Sequence, residues 1–422
     1  MVRKKIEDLG KVISGGTPST KNERYWGGDI AWITPKDLSK HDSMFIFKGE
    51  RGITEEGLKN SSAYTVPTGT VLFSSRAPIG YVAIAGKNLT TNQGFKNIVV
   101  NDENDNLFIY YLLKNNIKFI ESHANGSTFK EISAKVFKNL EFDVPNLDTQ
   151  RKISKILSTL DSKIELNNQI ISNLEELAST LFKRWFVDFE FPDENGNPYK
   201  SSGGKMVDSE LGEIPEGWGI KKLGEISRIQ NGYAFKSKDY IEYSVDNSVK
   251  VLRTLNINND NLTINNKDLV YLPEFFLKHH SNVVLNKFDT LFVMVGATIG
   301  KVGLVTDINL PSLQNQNMWR FRPDFPHLSS VILRHYVIHS RNIAENWKTG
   351  SAREFYRKDS FSNIRLAIAE NRILDKLNSM LQPIYELINK KNYENGQLEG
   401  LRDSLLPKLL SGEIELPEDE EV

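Results

Sequence analysis

The longest regular pattern of apolar residues in this chain lies between residues 148 and 183. Apolar side chains recur there alternately three and four positions apart, at Ile153, Leu157, Leu160, Ile164, Ile171, Leu174, Ala178 and Leu181. This spacing places one apolar stripe along a helix and is typical of a coiled-coil seam. Asn167 occupies the one polar position of the stripe. It either fixes the register of the helix or is simply solvated, and the sequence leaves both interpretations open.

A second helical stripe lies near the C-terminus. It is formed by Ile373, Leu377, Met380, Ile384, Leu387, Leu398, Leu401 and Leu405, with the polar residues Lys391 and Glu394 in its middle. Pro383 lies inside this stripe. A proline in a helix interior removes a hydrogen bond and clashes with the preceding turn, so the sequence predicts a kink or a break there.

The segments that precede the two helices repeat each other. "NGSTFKEISAKVFKNLEFDVP" begins at Asn125 and "KTGSAREFYRKDSFSNIRLAI" at Lys348, and matching residues in them share one offset, for example 350 − 126 = 224. Upstream, "TVLFSSRAPIGYVAIAG" resembles "TLFVMVGATIGKVGLVT". Self-similarity on this scale indicates a duplicated architecture. Because each long helix follows an equivalent unit, we expect the two helices to pack antiparallel.

The fold class that follows is α+β, with two pseudo-symmetric units and two long helices. Short runs of Val, Ile, Phe, Tyr and Trp, broken by Gly, Pro and Asn, predict small and irregular sheets with a few helices in each unit. The predicted boundaries are 1–146 for the first unit, 147–187 for the central helix, 188–208 for a linker, 209–369 for the second unit, 370–411 for the C-terminal helix and 412–422 for an acidic tail.

Charge is distributed unevenly along a chain whose net charge is −1. Residues 1–145 carry 19 Lys and Arg against 16 Asp and Glu, and residues 206–369 carry 20 against 17, so that each is +3. The remainder is therefore −7. Two mildly basic units permit DNA binding, although net charge alone does not favour a nucleic-acid partner. The chain has no Cys, which excludes disulfides and Cys-based sites and fits a cytoplasmic protein. No apolar run is long enough to predict a membrane span.

Catalytic motifs are not found in the sequence. "GATIGKVG", from Gly296 to Gly303, resembles a phosphate loop but has three residues between its glycines and no Ser or Thr after Lys301, so a structural turn is favoured. His279 and His280 are adjacent and lack the i, i+4 spacing of a helical metal pair. We therefore expect neither a catalytic residue nor a metal site.

Taken together, the chain resembles the DNA-specificity subunit of a Type I restriction-modification system. "SGGTPSTKNERYWGGDIAWITPKDL" looks like the start of a target-recognition domain of that family, and "PNLDTQRKISKILSTLDSKIELNN" like its first helical region. "LFKRWFVDFEF" and "SELGEIPEGWGIKKLGEI" look like the passage to the second domain. The second copy departs from the pattern, with "RLAIAENRIL" in place of "FDVPNLDTQRKI" and with Pro383 in its helix.

The resemblance implies a protein without catalysis of its own. Each recognition domain would read one half of a bipartite, asymmetric site in double-stranded DNA, and the helices would set the unread spacer between the halves. Two methyltransferase subunits and then restriction subunits would dock on this scaffold. The chain itself would bind no cofactor, whereas S-adenosylmethionine, ATP and Mg would belong to the partner subunits. The alternative is a coiled-coil scaffold that binds protein partners only.

The candidate DNA-binding residues are polar and basic side chains in glycine-started loops or directly after apolar strands. Such side chains contact phosphates and base edges. In the first unit they are Thr17, Ser19, Thr20, Lys21, Arg24, Tyr25, Ser74, Ser75, Arg76 and Lys130. In the second unit they are Asn231, Tyr233, Lys236, Lys238, Arg353, Tyr356, Arg357 and Lys358. For each group, a solvated surface or a salt bridge is the competing interpretation.

Two further sets of residues are predicted to be structural. The pair Asn92-Gln93 recurs as Asn315-Gln316, and a shared pair is poorly suited to reading two different sequences, so its amides are expected to hold backbone. Large aromatic residues are more often core than stacking platforms. That expectation applies to Trp26, Trp32 and Trp319. The aromatic cluster at the end of the first helix is expected to pack within the chain, and the alternative is an interface with a methyltransferase subunit; its members are Trp185, Phe186, Phe189 and Phe191.

Overall fold

The computed structural model forms two compact units, one comprising Met1–Glu165 with Gln397–Val422 and the other Leu166–Gly396. It describes residues 1–39, 41, 43–126, 130–243, 246–257, 264–296, 298–345 and 356–416. Among these described residues, no helix is long and apolar enough to cross a membrane.

In unit 1, short strands alternate with short helices. The strands are β1 (Val2–Lys5), β2 (Gly10–Ser14), β3 (Trp26–Ile33), β4 (Phe45–Ile46), β5 (Arg51–Ile53), β6 (Val71–Ser75), β7 (Ile79–Ala85), β8 (Thr90–Thr91), β9 (Phe95–Val100) and β10 (Glu141–Val144). The helices are α1 (Ile6–Leu9), α2 (Pro35–Leu38), α3 (Glu55–Lys59), α4 (Asn106–Asn115), α5 (Ile117–Ser122) and α6 (Ala134–Lys138). A long helix, α7 (Leu147–Phe186), follows and continues into unit 2.

Unit 2 contains a similar series of elements. Its strands are β11 (Met206–Ser209), β12 (Gly212–Pro215), β13 (Gly219–Lys222), β14 (Ser227–Asn231), β15 (Ser248–Leu252), β16 (Val270–Pro273), β17 (Thr290–Val293), β18 (Val302–Leu304), β19 (Ser312–Gln314), β20 (Met318–Pro323) and β21 (Arg365–Ile368). Its helices are α8 (Leu223–Ile226), α9 (Phe276–His279), α10 (Ser330–Glu345), α11 (Lys358–Ser362) and the long α12 (Asn371–Ser411).

The sheets of the two units share a common strand order, with one additional strand, β4, in the main sheet of unit 1. The main sheet has the order β2-β9-β6-β7-β4 in unit 1 and β14-β20-β17-β18 in unit 2. A three-stranded sheet has the order β5-β3-β8 in one and β16-β15-β19 in the other, with one antiparallel and one parallel pairing in each case. The pair β1-β10 corresponds to β13-β21. The predicted duplication and the α+β fold class are therefore confirmed.

Local capping and burial explain where several helices begin and which faces they bury. The Asp105 carboxylate accepts a hydrogen bond from the Phe108 amide at 2.8 Å and caps the start of α4. Six consecutive residues of that helix, Phe108 to Leu113, are buried. The helix packs on β7 and on β6, and all five residues of β6 are buried. In α2, the Thr34 hydroxyl and the Asp37 carboxylate form a capping box, with Pro35 in the first turn.

The apolar stripe predicted for α7 is confirmed. Its eight members are all buried or half-buried. Asn167 is fully buried, and its side-chain amide donates a hydrogen bond to the Asn395 amide oxygen of α12 at 2.9 Å. The interpretation of Asn167 as a solvated position is therefore wrong. A buried Asn-Asn pair in an apolar seam favours the register in which the two amides meet.

The stripe predicted for α12 is partly wrong. Met380, Leu387 and Leu401 are exposed. The buried stripe is instead formed by Ile373, Leu374, Leu377, Leu381, Tyr385 and Ile388. In unit 2 the helix contacts side chains of α10 as well as α7, for example through Tyr385 and His335. This second contact rotates the buried face by about one residue.

Pro383 does not break α12, which continues as a single helix from Asn371 to Ser411. Pro383 is exposed, as is Ser379 one turn earlier. Because proline has no backbone N–H, the carbonyl of Ser379 lacks its usual helical hydrogen-bond donor. On an exposed face, a water molecule can donate in its place.

The segment after α7 folds onto unit 2 through aromatic contacts. The ring centroid of Phe191 lies 5.3 Å from that of Trp218 and 4.6 Å from that of Tyr199. Phe186 also packs on Trp218, at 5.2 Å. The prediction that this aromatic cluster packs within the chain is confirmed for Trp185, Phe186 and Phe191, each of which is buried.

Candidate nucleic-acid interface

The candidate interface starts at an equivalent glycine in each unit. Gly15 follows β2, and a Cβ placed on it would collide with the backbone oxygen of Asn92. Gly232 follows β14, and a Cβ there would collide with the backbone oxygen of Asn315. The absence of a side chain thus lets the loop pass close to the Asn-Gln segment in both units.

The Asn-Gln segments support these loops, as the sequence predicted. The Asn92 amide oxygen accepts a hydrogen bond from the Gly94 amide at 2.9 Å, and the Asn315 amide oxygen accepts one from the Gln316 amide at 2.6 Å. In unit 1, the Gln93 amide oxygen also contacts the Thr17 hydroxyl. Both asparagines therefore hold backbone, which agrees with a shared structural role.

In unit 1 the loop after Gly15 presents a group of exposed polar side chains. Ser19, Thr20, Lys21 and Arg24 are exposed, whereas Thr17 and Tyr25 are half-buried. The backbone beneath them is fixed because the Trp32 indole donates to the Gly16 carbonyl at 2.9 Å. The buried Trp32 belongs to the core, as predicted. The exposed hydroxyls and cations are thus held on a defined loop.

A second basic group of unit 1 lies where β6 ends. The Arg76 guanidinium is 3.6 Å from the Glu131 carboxylate, and its side chain is 37% exposed. Lys130 is exposed and forms an ion pair with Glu121 at 2.9 Å. Exposed ion pairs of this kind contribute little to stability, so a ligand can replace the carboxylate at small cost.

Lys96 lies close enough to Arg76 to interact with it electrostatically, and it was not among the DNA-binding residues predicted from the sequence. It lies in β9, and only 5% of the residue is exposed. Burial lowers the pKa of its ammonium group, with Arg76 adding to this effect and Glu131 opposing it. In the part of the chain that the structure describes, no side chain accepts a hydrogen bond from this ammonium. Lys96, Arg76 and Glu131 together carry a net charge of +1, which suits a phosphate oxygen. The sequence feature that could have indicated this site is a lysine inside the otherwise mostly apolar strand "FKNIVV".

Ser74 and Ser75 do not belong to this surface. Both are fully buried. The Ser74 hydroxyl donates to the Pro78 carbonyl at 2.9 Å, and that of Ser75 to the Gly94 carbonyl at 3.1 Å. Their selection as DNA-binding residues is therefore not supported, because their hydroxyl groups already bond within unit 1.

In unit 2 the corresponding loop carries aromatic and basic side chains. Asn231, Lys236 and Lys238 are exposed. Tyr233 is 44% exposed, and its ring lies 4.3 Å from the imidazole of His280. The loop therefore differs in chemistry from its counterpart in unit 1, which has exposed hydroxyl groups instead of an exposed tyrosine packed on a half-buried histidine.

The remaining candidates of unit 2 lie near the start of α11. Arg357 and Lys358 are exposed, and the Lys358 ammonium donates to the Ile229 carbonyl of β14 at 2.7 Å. The half-buried Tyr356 packs on the rings of Phe292 and Phe361, which makes it part of the core. The prediction for Arg353 lies outside the described residues.

The described residues contain no group of three or more His, Asp or Glu side chains that could hold a metal ion. The loops that follow Gly15 and Gly232 carry exposed side chains that can form hydrogen bonds and that bear positive charge. This set of groups suits the binding of an extended polyanion.

Comparison with known proteins gives a consistent result. A family model described as the Type I restriction modification DNA specificity domain matches the chain twice, over residues 1–176 and 215–394. The Type I restriction enzyme MjaIX specificity subunit of Methanocaldococcus jannaschii is 34% identical over 424 residues, covering 98% of this chain and 94% of that protein. The HindI specificity subunit of Haemophilus influenzae is 25% identical over 369 residues, covering 73% of this chain and 77% of that protein.

A solved structure extends the similarity to the fold. The crystal structure of a Type I restriction-modification system S subunit from M. genitalium matches with a TM-score of 0.55 at 17% sequence identity. The match covers 99% of this chain and 96% of that one. The α+β fold is thus shared with a solved structure.

Proposed function

We propose that this chain, which belongs to the Type I restriction-modification DNA specificity family, recognises a bipartite sequence in double-stranded DNA. Unit 1 reads one half of the site and unit 2 the other. The two half-sites differ in sequence because the side chains of the two recognition loops differ.

The observation that carries this proposal is the pair of equivalent loops. In both units, the glycine that follows the first strand of the main sheet packs against the backbone of an Asn-Gln segment. The backbone that supports the loop is therefore equivalent in the two units. The exposed side chains are Ser19, Thr20 and Lys21 in one loop and Tyr233, Lys236 and Lys238 in the other. A common support with different exposed groups is what two readers of different sequences require.

The chain is proposed to act without catalysis of its own. Methyltransferase subunits, which would carry S-adenosylmethionine, are its proposed direct partners. Restriction subunits, which would use ATP and Mg, complete the assembly. A non-catalytic role in recognition is supported by the relatives, which are named specificity subunits.

The long helices are proposed to form an antiparallel pair that sets the spacer between the half-sites. Two contacts support this arrangement. In unit 1, Asp161 of α7 contacts Arg402 of α12, and in unit 2, Asn167 contacts Asn395. Residues later in α7 thus contact residues earlier in α12, which is the order expected of antiparallel helices.

The proposed function predicts that the half-sites can be exchanged separately. Replacing residues 1–145 with the corresponding unit of a relative should change one half of the recognised motif and leave the other half unchanged. Methylome sequencing of a host that carries the chimera and the methyltransferase subunit measures both halves. If both halves change, or if the parent chain directs no bipartite motif, the proposal is wrong.

A single substitution tests the basic group of unit 1. Arg76→Ala is expected to weaken binding of the cognate DNA by about 1–3 kcal/mol. If Arg76 contacts a base edge, specificity also relaxes at one base position, whereas a phosphate contact weakens binding to all sequences alike and flattens its salt dependence. Competition binding across single-base variants of the site measures both effects. The matched control is Arg3→Ala, since Arg3 is also exposed and paired, with Glu141, but lies on β1. Equal affinity of the Arg76 variant and the parent for every sequence would exclude Arg76 from the interface.

A further inference from the structure

A buried hydrogen bond links the core of unit 1 to its long helix. The hydroxyl of Tyr111, on α4, donates to the Asp161 carboxylate of α7 at 2.7 Å. The second oxygen of Asp161 accepts a hydrogen bond from the Arg402 guanidinium of α12 at 2.6 Å. Tyr111 is fully buried, and the side chains of Asp161 and Arg402 are only 15% and 16% exposed. One carboxylate therefore holds a recognition-domain helix and both long helices together.

Unit 2 contains a comparable network with different residues. The hydroxyl of Tyr385, on α12, lies 2.9 Å from Nε2 of His335, on α10. Burial lowers the pKa of His335 to about 3, so the imidazole is neutral and Nε2 can accept a hydrogen bond from the hydroxyl. The Tyr385 oxygen in turn accepts a hydrogen bond from Arg334 at 2.6 Å. Arg334 also contacts Glu175 of α7 at 3.3 Å.

The two networks occupy equivalent positions. Tyr111 and His335 differ by 335 − 111 = 224, and Asp161 and Tyr385 by 385 − 161 = 224. This is the offset of the sequence repeat. Asp161 and Tyr385 are each the fifteenth residue of their helix, since 161 − 147 and 385 − 371 are both 14. The hydrogen bond between these two positions is thus present in both units, although the residues that form it are different.

An apolar pair at these positions would stabilise the packing at lower desolvation cost. A hydrogen bond adds direction, because it weakens steeply when the donor, hydrogen and acceptor lose alignment. Sliding a domain by one helical turn, about 5.4 Å, would break the bond and leave the Tyr111 hydroxyl or the His335 ring nitrogen buried without this partner. Apolar contacts tolerate such a shift more easily.

We propose that the pairs Tyr111–Asp161 and His335–Tyr385 are positioning contacts that fix each recognition domain at one place along its long helix and thereby restrict the accepted spacer length. This inference rests on the proposed function, since it assigns the two bonds a role in bipartite DNA recognition. None of the four residues is proposed to touch DNA.

The test uses the chain in complex with its methyltransferase subunits and a series of DNA substrates. Methylome sequencing of the parent first gives the half-sites and the spacer length. Substrates with that spacer, and with one base pair more or fewer, are then methylated in vitro. Tyr111→Phe and Tyr385→Phe each remove one hydroxyl and keep the ring. Tyr111→Phe should lower the preference for the cognate spacer roughly 5-fold, as expected for the loss of a typical hydrogen bond. Tyr385→Phe also removes the acceptor of the Arg334 guanidinium, so it should lower that preference at least as much.

The matched control is Tyr336→Phe. Tyr336 is equally buried, but its hydroxyl donates to the Ala367 carbonyl of β21, inside the recognition domain. This variant should lose comparable thermal stability and keep the spacer preference of the parent. A rescue variant, Tyr111→His combined with Asp161→Tyr, copies the pair of unit 2 into unit 1 and should restore the preference lost in Tyr111→Phe.

The outcomes separate the inference from the function on which it rests. If Tyr111→Phe and Tyr385→Phe lose stability like Tyr336→Phe but keep the spacer preference of the parent, the contacts are merely structural and the inference is wrong. If the parent itself methylates no bipartite motif, the proposed function fails. If one variant does not fold, the other decides, because each unit is tested by its own substitution.

Discussion

Replacing Arg334 with methionine is expected to lower the free energy of unfolding by about 3–5 kcal/mol, because it leaves a buried carboxylate without its counter-ion. Arg334 is 1% exposed and bonds to both Tyr385 and Glu175. Denaturant unfolding followed by tryptophan fluorescence measures the change. Arg228→Met is the matched control. Arg228 is an exposed arginine of the same unit, paired with Asp324, and its loss should leave the unfolding midpoint nearly unchanged.

The same variant should show a distinct pH dependence. Burial already raises the pKa of the Glu175 carboxyl, and Arg334 opposes that rise. Without Arg334 the pKa rises further, so the folded state binds a proton that the unfolded state releases. A group whose pKa is raised on folding stabilises most at low pH and loses that contribution as pH increases. The deficit of Arg334→Met should therefore be larger at pH 8 than at pH 5.

A second substitution distinguishes a missing counter-ion from a simple cavity. Adding Glu175→Gln to Arg334→Met removes the unpaired charge and should recover most of the lost stability. If the double variant is as unstable as the single one, the loss arises from packing at Arg334 and the electrostatic explanation is wrong.

Lengthening both long helices together is expected to lengthen the unread spacer without changing either half-site. Four residues are inserted into α7 between Ser172 and Asn173, and four into α12 between Lys390 and Lys391. Each insertion adds about 6 Å and a net rotation of about 40°, because each residue contributes about 1.5 Å and 100°. At about 3.4 Å per base pair, the spacer should grow by one or two base pairs. Methylome sequencing of a host with the variant complex reads out the motif.

The insertion sites follow from contacts on either side of them. The Glu175–Arg334 contact lies on one side of both insertions, and the Asn167–Asn395 contact lies on the other. Both contacts can therefore persist. Matched two-residue insertions are the control, since a rotation of about 200° would turn the apolar stripe to solvent and abolish activity. An active four-residue variant with the parental spacer would show that the helices do not set it.

The duplicated fold and the seam of α7 could be predicted because their signals are local or strictly periodic. The seam of α12 was ambiguous for a physical reason. Apolar residues occur there as adjacent pairs, such as Ile384-Tyr385 and Leu387-Ile388. Periodicity allows either member of each pair to face inward. The contact with His335 of α10 favours Tyr385, and that partner is remote in sequence.

The candidate interface shows a similar limit. Ser74 and Ser75 were predicted to follow an apolar strand, but both lie within β6 itself. Both faces of β6 are covered, and both serines are buried. Lys96 was missed because its strand looks like core, although its ammonium group lies near Arg76 and Glu131. Burial depends on what covers a strand, which a local pattern does not reveal.

The Tyr111–Asp161 bond has a consequence for inheritance. The two residues are 50 positions apart, and the predicted end of the first globular unit, residue 146, lies between them. A genetic crossover near that point gives the progeny Tyr111 from one parent and residue 161 from the other. If the second parent supplies an apolar residue at 161, the tyrosine hydroxyl stays buried without a partner. Recombination between relatives should therefore succeed most often when both parents carry compatible residues at these two positions. New specificities would then arise mainly within groups of genes that share this pair.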